Sequence, residues 1–186
     1  TFGTAYTAAY NVGNKLDGVA FLPVQALTNS ITAFVGQNTG AKKPERVRAG
    51  VRIAVTYTVL WCLVMTAALL PASDALFRLF SPEAEVAEAG RHYMFAIMPP
   101  YVTFGVMYIL NGAMRGAGDS VVPMLATILS MIVLRVPAVY YLANHFGPER
   151  MFQGFGIGWV GGFIFCVLYY LSGRWKRRGS LAEENP

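Results

Sequence analysis

The chain has 186 residues, a net charge of +5, 55% apolar residues, 13% charged ones and a positive mean hydropathy. A soluble domain carries roughly a quarter charged residues, so an ordinary water-soluble core is excluded. A nucleic-acid-binding face is excluded as well, because the cations sit beside apolar runs and form no interleaved basic stripe. The chain opens without an initiator Met or a leader pattern and reads as a piece of a longer protein. Cys62 and Cys166 lie inside apolar runs, as packing residues do, and not as a disulfide or metal pair.

In chain order, residues 1–17 mix Tyr6, Tyr10, Asn11, Asn14, Lys15 and Asp17 with Ala and Gly, and residues 18–36 carry no charge. A helix over 18–36 is about 28 Å long, one hydrocarbon thickness. Pro23 is expected to kink it. Gln25, Thr28, Asn29, Ser30 and Thr32 are too polar for lipid, so one face must meet protein or water. Residues 34–50 then read as a helix leaving the bilayer and the next one entering it. Gly36 and Gly40 end the first helix, Lys42, Lys43, Arg46 and Arg48 sit at headgroup level, and Pro44 suits a helix start. The run 51–71 reads as the most lipid-exposed helix, followed by an amphipathic interfacial stretch over 72–81.

Ser81-Pro82-Glu83 predicts a helix start with Ser81 as the cap. That helix is expected to break at Pro99-Pro100 and to end at a tight turn, Arg115-Gly116-Ala117-Gly118-Asp119. A fourth run covers 120–142 with Pro123, Arg135 and Pro137. A fifth covers 154–173, where Gly154, Gly158 and Gly162 leave one helix face bare for close packing. Trp159, Tyr169, Tyr170 and Trp175 suit the membrane interfaces. The expected fold is all-α: a partial membrane helix bundle over 1–173, with spans near 8–37, 51–71, 82–114, 120–142 and 154–173. A basic-then-acidic tail over 174–186 is expected to be disordered.

Five spans place loop 38–52, turn 114–120 and tail 173–186 on one side, with ten cations against four on the other. The positive-inside rule puts that side, and the C-terminus, in the cytoplasm.

The motifs of metalloproteases, serine hydrolases and phosphate-binding loops are absent from the sequence, which argues against an enzyme. His92 and His145 lack neighbours at metal-ligand spacing, so neither a metal nor a cofactor is expected. What remains is a polar interior in bent helices, suited to solutes held weakly and released. Tyr93, Met94, Phe95, Met98, Tyr101, Phe104, Met107 and Tyr108 are either a soft cavity wall or plain core. Asp17, Gln25, Asn29, Tyr101, Tyr108 and Asn111 are the candidate cavity or coupling residues. Asp17 is a rim charge if its helix starts near Gly18, and a cleft residue if the helix starts near Ala8. Arg135 reads as structural, its side chain reaching toward the nearer membrane edge.

Two stretches carry a family resemblance. Val35-Gly36-Gln37-Asn38 with Gly40, Ala41 and Arg46 resembles the helix end and cytoplasmic loop of multidrug and toxic compound extrusion transporters. Gly112-Ala113-Met114-Arg115-Gly116-Ala117-Gly118-Asp119, followed by Pro123-Met124, is similar to the turn after the fourth helix of each half in that family. The resemblance implies helices eight to twelve of a twelve-helix, two-bundle antiporter of the inner membrane, with the earlier helices missing. It implies export of organic, often cationic, compounds in exchange for sodium ions or protons. The family's coupling acid in helix ten has no counterpart in Tyr93–Met114. A lipid-linked glycan flippase of similar architecture is the alternative within transport; a membrane-embedded enzyme or a structural subunit are the alternatives outside it.

Overall fold

The computed structural model describes residues 3–178, and the regular elements among them are all helical. α1 runs Thr4–Gly40 and α2 runs Pro44–Phe80, 37 residues each. At ~1.5 Å per residue each is about 55 Å long, so both tilt in, or project beyond, a ~30 Å hydrocarbon layer. α1 begins before residue 8 and ends beyond 37, because its Ala-rich first turns hold no breaker. Pro23 and Pro71 lie inside these helices without ending them. Trp61 of α2 donates its indole N–H to the Ala20 carbonyl at 3.0 Å, a second partner for the segment of α1 that Pro23 loosens.

The stretch 72–81 is not a separate interfacial segment; most of it is the last turns of α2. Phe77 is buried there against Gly90, whose Cβ would strike its ring. Arg78 pairs with Asp74 at 2.8 Å. Ser81 does not cap the next helix. Its backbone N–H closes α2 on the Phe77 carbonyl, so α3, Ala84–Ile97, starts two residues later behind Glu83.

Pro99 and Pro100 separate α3 from α4, Tyr101–Gly116, with a bend of 53°. Prolines donate no N–H, so carbonyls in this turn need other partners. Met98 accepts from the Thr66 hydroxyl at 3.1 Å, and Pro100 from the Thr103 hydroxyl at 2.6 Å. The fourth span is not one regular helix. It comprises α5, Val121–Ile128, a π-helical turn, Leu129–Leu134, and α6, Arg135–Phe146. Pro137 offers no N–H to the Val133 carbonyl and crowds it, and the turn before the proline winds wider.

A 3₁₀ turn, Pro148–Arg150, leads into α7, Gln153–Leu171. The bare face of α7 does pack closely. Cβ atoms on Gly154, Gly158 and Gly162 would stand on Val139, on Arg135 and the Ser130 carbonyl, and on Ser130 and Met107. Gly173, at φ 68°, turns the chain into α8, Arg174–Arg178. The start of the tail is therefore ordered: Trp175 is buried, stacks on Tyr170 at 5.1 Å and donates to the Tyr170 carbonyl at 2.9 Å. The rest of the tail, for which disorder was expected, lies outside the described residues.

α4 is the central helix, packed by α1, α2 and α7. Tyr93, Met94, Met98, Tyr101, Phe104 and Met107 are buried core of this bundle, not a cavity wall; Phe95 is exposed and Tyr108 half-buried. Trp159 also belongs to the core, stacked on Phe104 at 4.4 Å, and not to an interface. Among the described residues four helices are long and apolar enough to cross a membrane, and counting the bent α3–α4 pair as one span brings the number to five. α2 has the smallest buried share of the four.

Candidate functional site

α1 has two unlike faces. Ala9, Gly13, Ala20, Val24, Thr28, Ile31, Val35 and Asn38 are buried toward the rest of the bundle. Asn11, Asn14, Lys15, Gln25, Asn29 and Gln37 are exposed, and helical spacing places them along one stripe. The two candidates Gln25 and Asn29 fall in the middle of this stripe. Primary amides cannot satisfy their donors and acceptors in hydrocarbon, so the stripe must face water, solute or another bundle. The hydroxyls of Thr28 and Ser30 are already spent on carbonyls of their own helix, at 2.8 and 3.0 Å.

Asp17 projects from the other side. It lies one turn from Gly13 and from Ala20, on the buried face, and more than three turns inside α1. α1 starts at Thr4, so of the two helix starts weighed the earlier one holds, and Asp17 is interior to the helix. Its Oδ1 is buried without a hydrogen-bond partner, and its backbone carbonyl accepts from the Tyr101 hydroxyl at 3.4 Å. Lys15 is exposed on a different face, as its spacing required. Two further buried polar atoms without partners, the Thr58 hydroxyl and the Trp159 indole N–H, lie near the same aromatic group. Trp159 contacts Tyr101 and Phe104, and Thr58 packs against Gly105.

The other candidates separate. Tyr101 is fully buried over Asp17. Tyr108 is half-buried against Phe21, ring centroids 4.9 Å apart. Asn111 faces α7, where its Oδ1 accepts from the Cys166 thiol at 3.1 Å, so it does not share the exposed stripe of Gln25 and Asn29. Arg135 is half-buried and holds its guanidinium 3.5 Å from the Phe155 ring centroid, one turn nearer the start of α7 than Gly158, against which its Cβ packs.

The two loop motifs meet. A Cβ on Gly36 would lie 3.3 Å from the Gly116 carbonyl oxygen, and one on Gly116 would strike the Thr32 carbonyl. The Thr32 hydroxyl donates to the Gly112 carbonyl at 3.0 Å. Asn38 turns its amide back to the Phe34 carbonyl at 2.8 Å, while Gln37, Gly40, Arg46 and Arg115 are exposed. Gly118, at φ 98°, makes the turn after α4. Asp119 is buried; its Oδ2 accepts from the Tyr169 hydroxyl at 2.6 Å, and its Oδ1 faces the Val122 N–H at the start of α5. Sequence reasoning missed the Tyr169–Asp119 and Thr32–Gly112 contacts. The spacing of Gly105, Gly112 and Gly116 on one side of α4 was the available signal for the second. Among the described residues no group of three His, Cys, Asp or Glu is placed to hold a metal ion.

The MatE family profile matches residues 1–141. "Probable multidrug resistance protein NorM" of Thermotoga maritima is 24% identical over 186 residues, covering 98% of this chain and 40% of that protein. "Probable multidrug resistance protein YpnP" of Bacillus subtilis is 27% identical over 184 residues, covering 99% and 41%. The chain thus spans about two fifths of the length of these relatives. The crystal structure of the Vibrio cholerae MATE transporter VcmN in the bent form superposes with a TM-score of 0.86 at 23% identity, over 94% of this chain and 40% of that one, a likeness of fold.

Proposed function

The chain belongs to the MatE family, and on that premise we propose that it forms most of the second bundle of an exporter of organic, cationic compounds. The exporter exchanges them for sodium ions or protons, and the remainder of the transporter supplies the facing bundle. The observation that carries this reading is the exposed amide stripe of α1 around Gln25 and Asn29. Neutral amides hydrogen-bond varied solutes without holding a cation so strongly that it cannot leave. Asp17, one helix face away, is the proposed coupling carboxylate: a buried acid inside a span binds and releases a cation or proton as its surroundings open and close. The excess of cations at 38–52, 114–120 and 173–186 supports a cytoplasmic C-terminus in the inner membrane.

The test is efflux of a cationic dye from vesicles carrying the full-length transporter, under sodium and proton gradients. Replacing Gln25 and Asn29 together by Leu is expected to slow efflux several-fold at unchanged folded yield. Wild-type efflux from that variant would remove the stripe from the path.

A further inference from the structure

Two apolar recesses open between α1 and α2. One, of about 450 Å³, reaches from Pro23 and Val24 to Trp61 and Val64; the other, of about 360 Å³, reaches from Ser30 and Phe34 to Gly50 and Ile53. Leu27 and Tyr57 line both, so the two form one groove. An aromatic side chain wedges the helices at each end of it. The Trp61 indole N–H bonds the Ala20 carbonyl at 3.0 Å, and the Phe34 ring fills the place of the Cβ that Gly50 lacks. The walls are almost wholly apolar, because the Ser30 hydroxyl and the Trp61 N–H are already spent on carbonyls. The rim is open: Ile53, Tyr57, Leu60 and Val64 are each more than half exposed.

The groove follows one line of α2. Gly50, Ile53, Tyr57, Leu60 and Val64 recur at helical spacing, about 21 Å from end to end. Tilted with α2, that length is comparable with one leaflet of a ~30 Å hydrocarbon layer. The same line continues one turn back to Arg46, and Lys43 stands just before the helix. Both are exposed, and among the described residues neither is in an ion pair. The amide stripe of Gln25 and Asn29 lies about 150° round α1 from Pro23, Leu27, Ser30 and Phe34, so groove and stripe face different surroundings. At the rim of a membrane span the surroundings of an apolar groove are hydrocarbon, which gains dispersion contacts by entering it. The basic residues at its end stand at headgroup level, where the abundant anion is lipid phosphate. We propose that the groove holds one acyl chain of an anionic phospholipid, with its phosphate at Arg46 and Lys43. Arg46 offers the phosphate a forked pair of donors and Lys43 a point charge.

The experiment uses the complete transporter that carries this half, in phosphatidylcholine vesicles with a small share of phosphatidylglycerol whose acyl chain ends in a photoreactive diazirine. Adducts are located by peptide mass spectrometry, and lipid retained in mild detergent is counted by native mass spectrometry. Label is expected at Leu60, Trp61 and Val64 several-fold above Ile132 and Val133, exposed apolar residues of the fourth span. Ser30→Trp, which puts an indole into the groove from an exposed position, is expected to remove that excess. Lys43→Gln/Arg46→Gln is expected to lower phosphatidylglycerol retention about tenfold, the change that ~1.4 kcal/mol produces. Arg48→Gln/Arg52→Gln removes as much charge from another face of α2, beside Glu45, and is expected to leave retention unchanged. Equal label on Ile132 and Val133 would make the lipid merely annular and overturns the proposal. Absence of label from the groove would give it to the facing bundle, and displacement of the label by an exported dye would give it to the solute; either result overturns the proposal as well. So does retention that falls equally in both charge variants.

Discussion

Thr32 on α1 donates its hydroxyl to the carbonyl oxygen of Gly112 on α4, 3.0 Å away, across a close approach of the two helices. The contact exists because Gly112 and Gly116 have no side chains. A Cβ at Gly112 would meet Thr28 and Thr32, and one at Gly116 would meet the backbone of Thr32. The two loop motifs of the sequence are therefore one junction in space.

Gly116→Val is expected to destabilise the bundle by about 1–3 kcal/mol or more, because the obstacle is backbone and cannot rotate away. Thr32→Val keeps the shape and loses one hydrogen bond, for about 1 kcal/mol. Thermal unfolding of the detergent-solubilised protein, with a fluorescent readout of folded yield, ranks the two. A Gly116→Val protein as stable as the wild type would contradict the close approach.

At the turn after α4, Asp119 and Arg115 are expected to differ. Asp119 is buried and bonded to Tyr169 at 2.6 Å, whereas Arg115 is exposed. Tyr169→Phe leaves a buried carboxylate short of a donor and should cost about 1–3 kcal/mol. Arg115→Ala should stay within about 0.5 kcal/mol of wild type. Neither change should alter which dyes are exported. A shift in dye selectivity at normal yield would make this turn part of the solute path.

Arg135 stacks on Phe155 with its guanidinium 3.5 Å from the ring centroid. Arg135→Lys keeps the charge and loses the planar stack, so a loss of about 0.5–2 kcal/mol is expected, with efflux largely retained. Phe155→Leu should cost a similar amount, and the two losses should not add, because both remove the same contact. Complete loss of efflux from Arg135→Lys with normal insertion would place the guanidinium on the solute.

Asp17→Asn is expected to leave folded yield intact, since the amide fits the same space. In the full-length transporter it should slow cation efflux and flatten the dependence of efflux on pH or sodium. Efflux measured across a pH series at fixed sodium, then across a sodium series at fixed pH, separates the two ions. An unchanged profile in both series would leave Asp17 a structural residue.

The spans, the break at Pro99-Pro100 and the bare glycine face of α7 were legible in the amino-acid sequence. Each follows from something local: the length of an apolar run, the missing N–H of proline, the missing Cβ of glycine. The polar stripe of α1 was half legible. The amides showed that some face must avoid lipid, but not that Asp17 would project from the opposite one. That depended on where α1 begins and on α4 lying across it, with Tyr101 over the Asp17 carbonyl.

Trp159 and Trp175 make the same point. Both read as interface residues; Trp159 instead stacks on Phe104 in the core, while Trp175 stays at the end of the bundle and is buried there against Tyr170 at the start of α8. Asn111 read as a cavity residue and is satisfied by Cys166 inside the bundle. The sequence by itself determined which segments are helical and apolar enough to cross a membrane, because backbone chemistry and transfer free energy act along the chain. Only the tertiary structure decided which polar side chain meets solvent and which is enclosed, because burial depends on the element packed opposite, often many residues away.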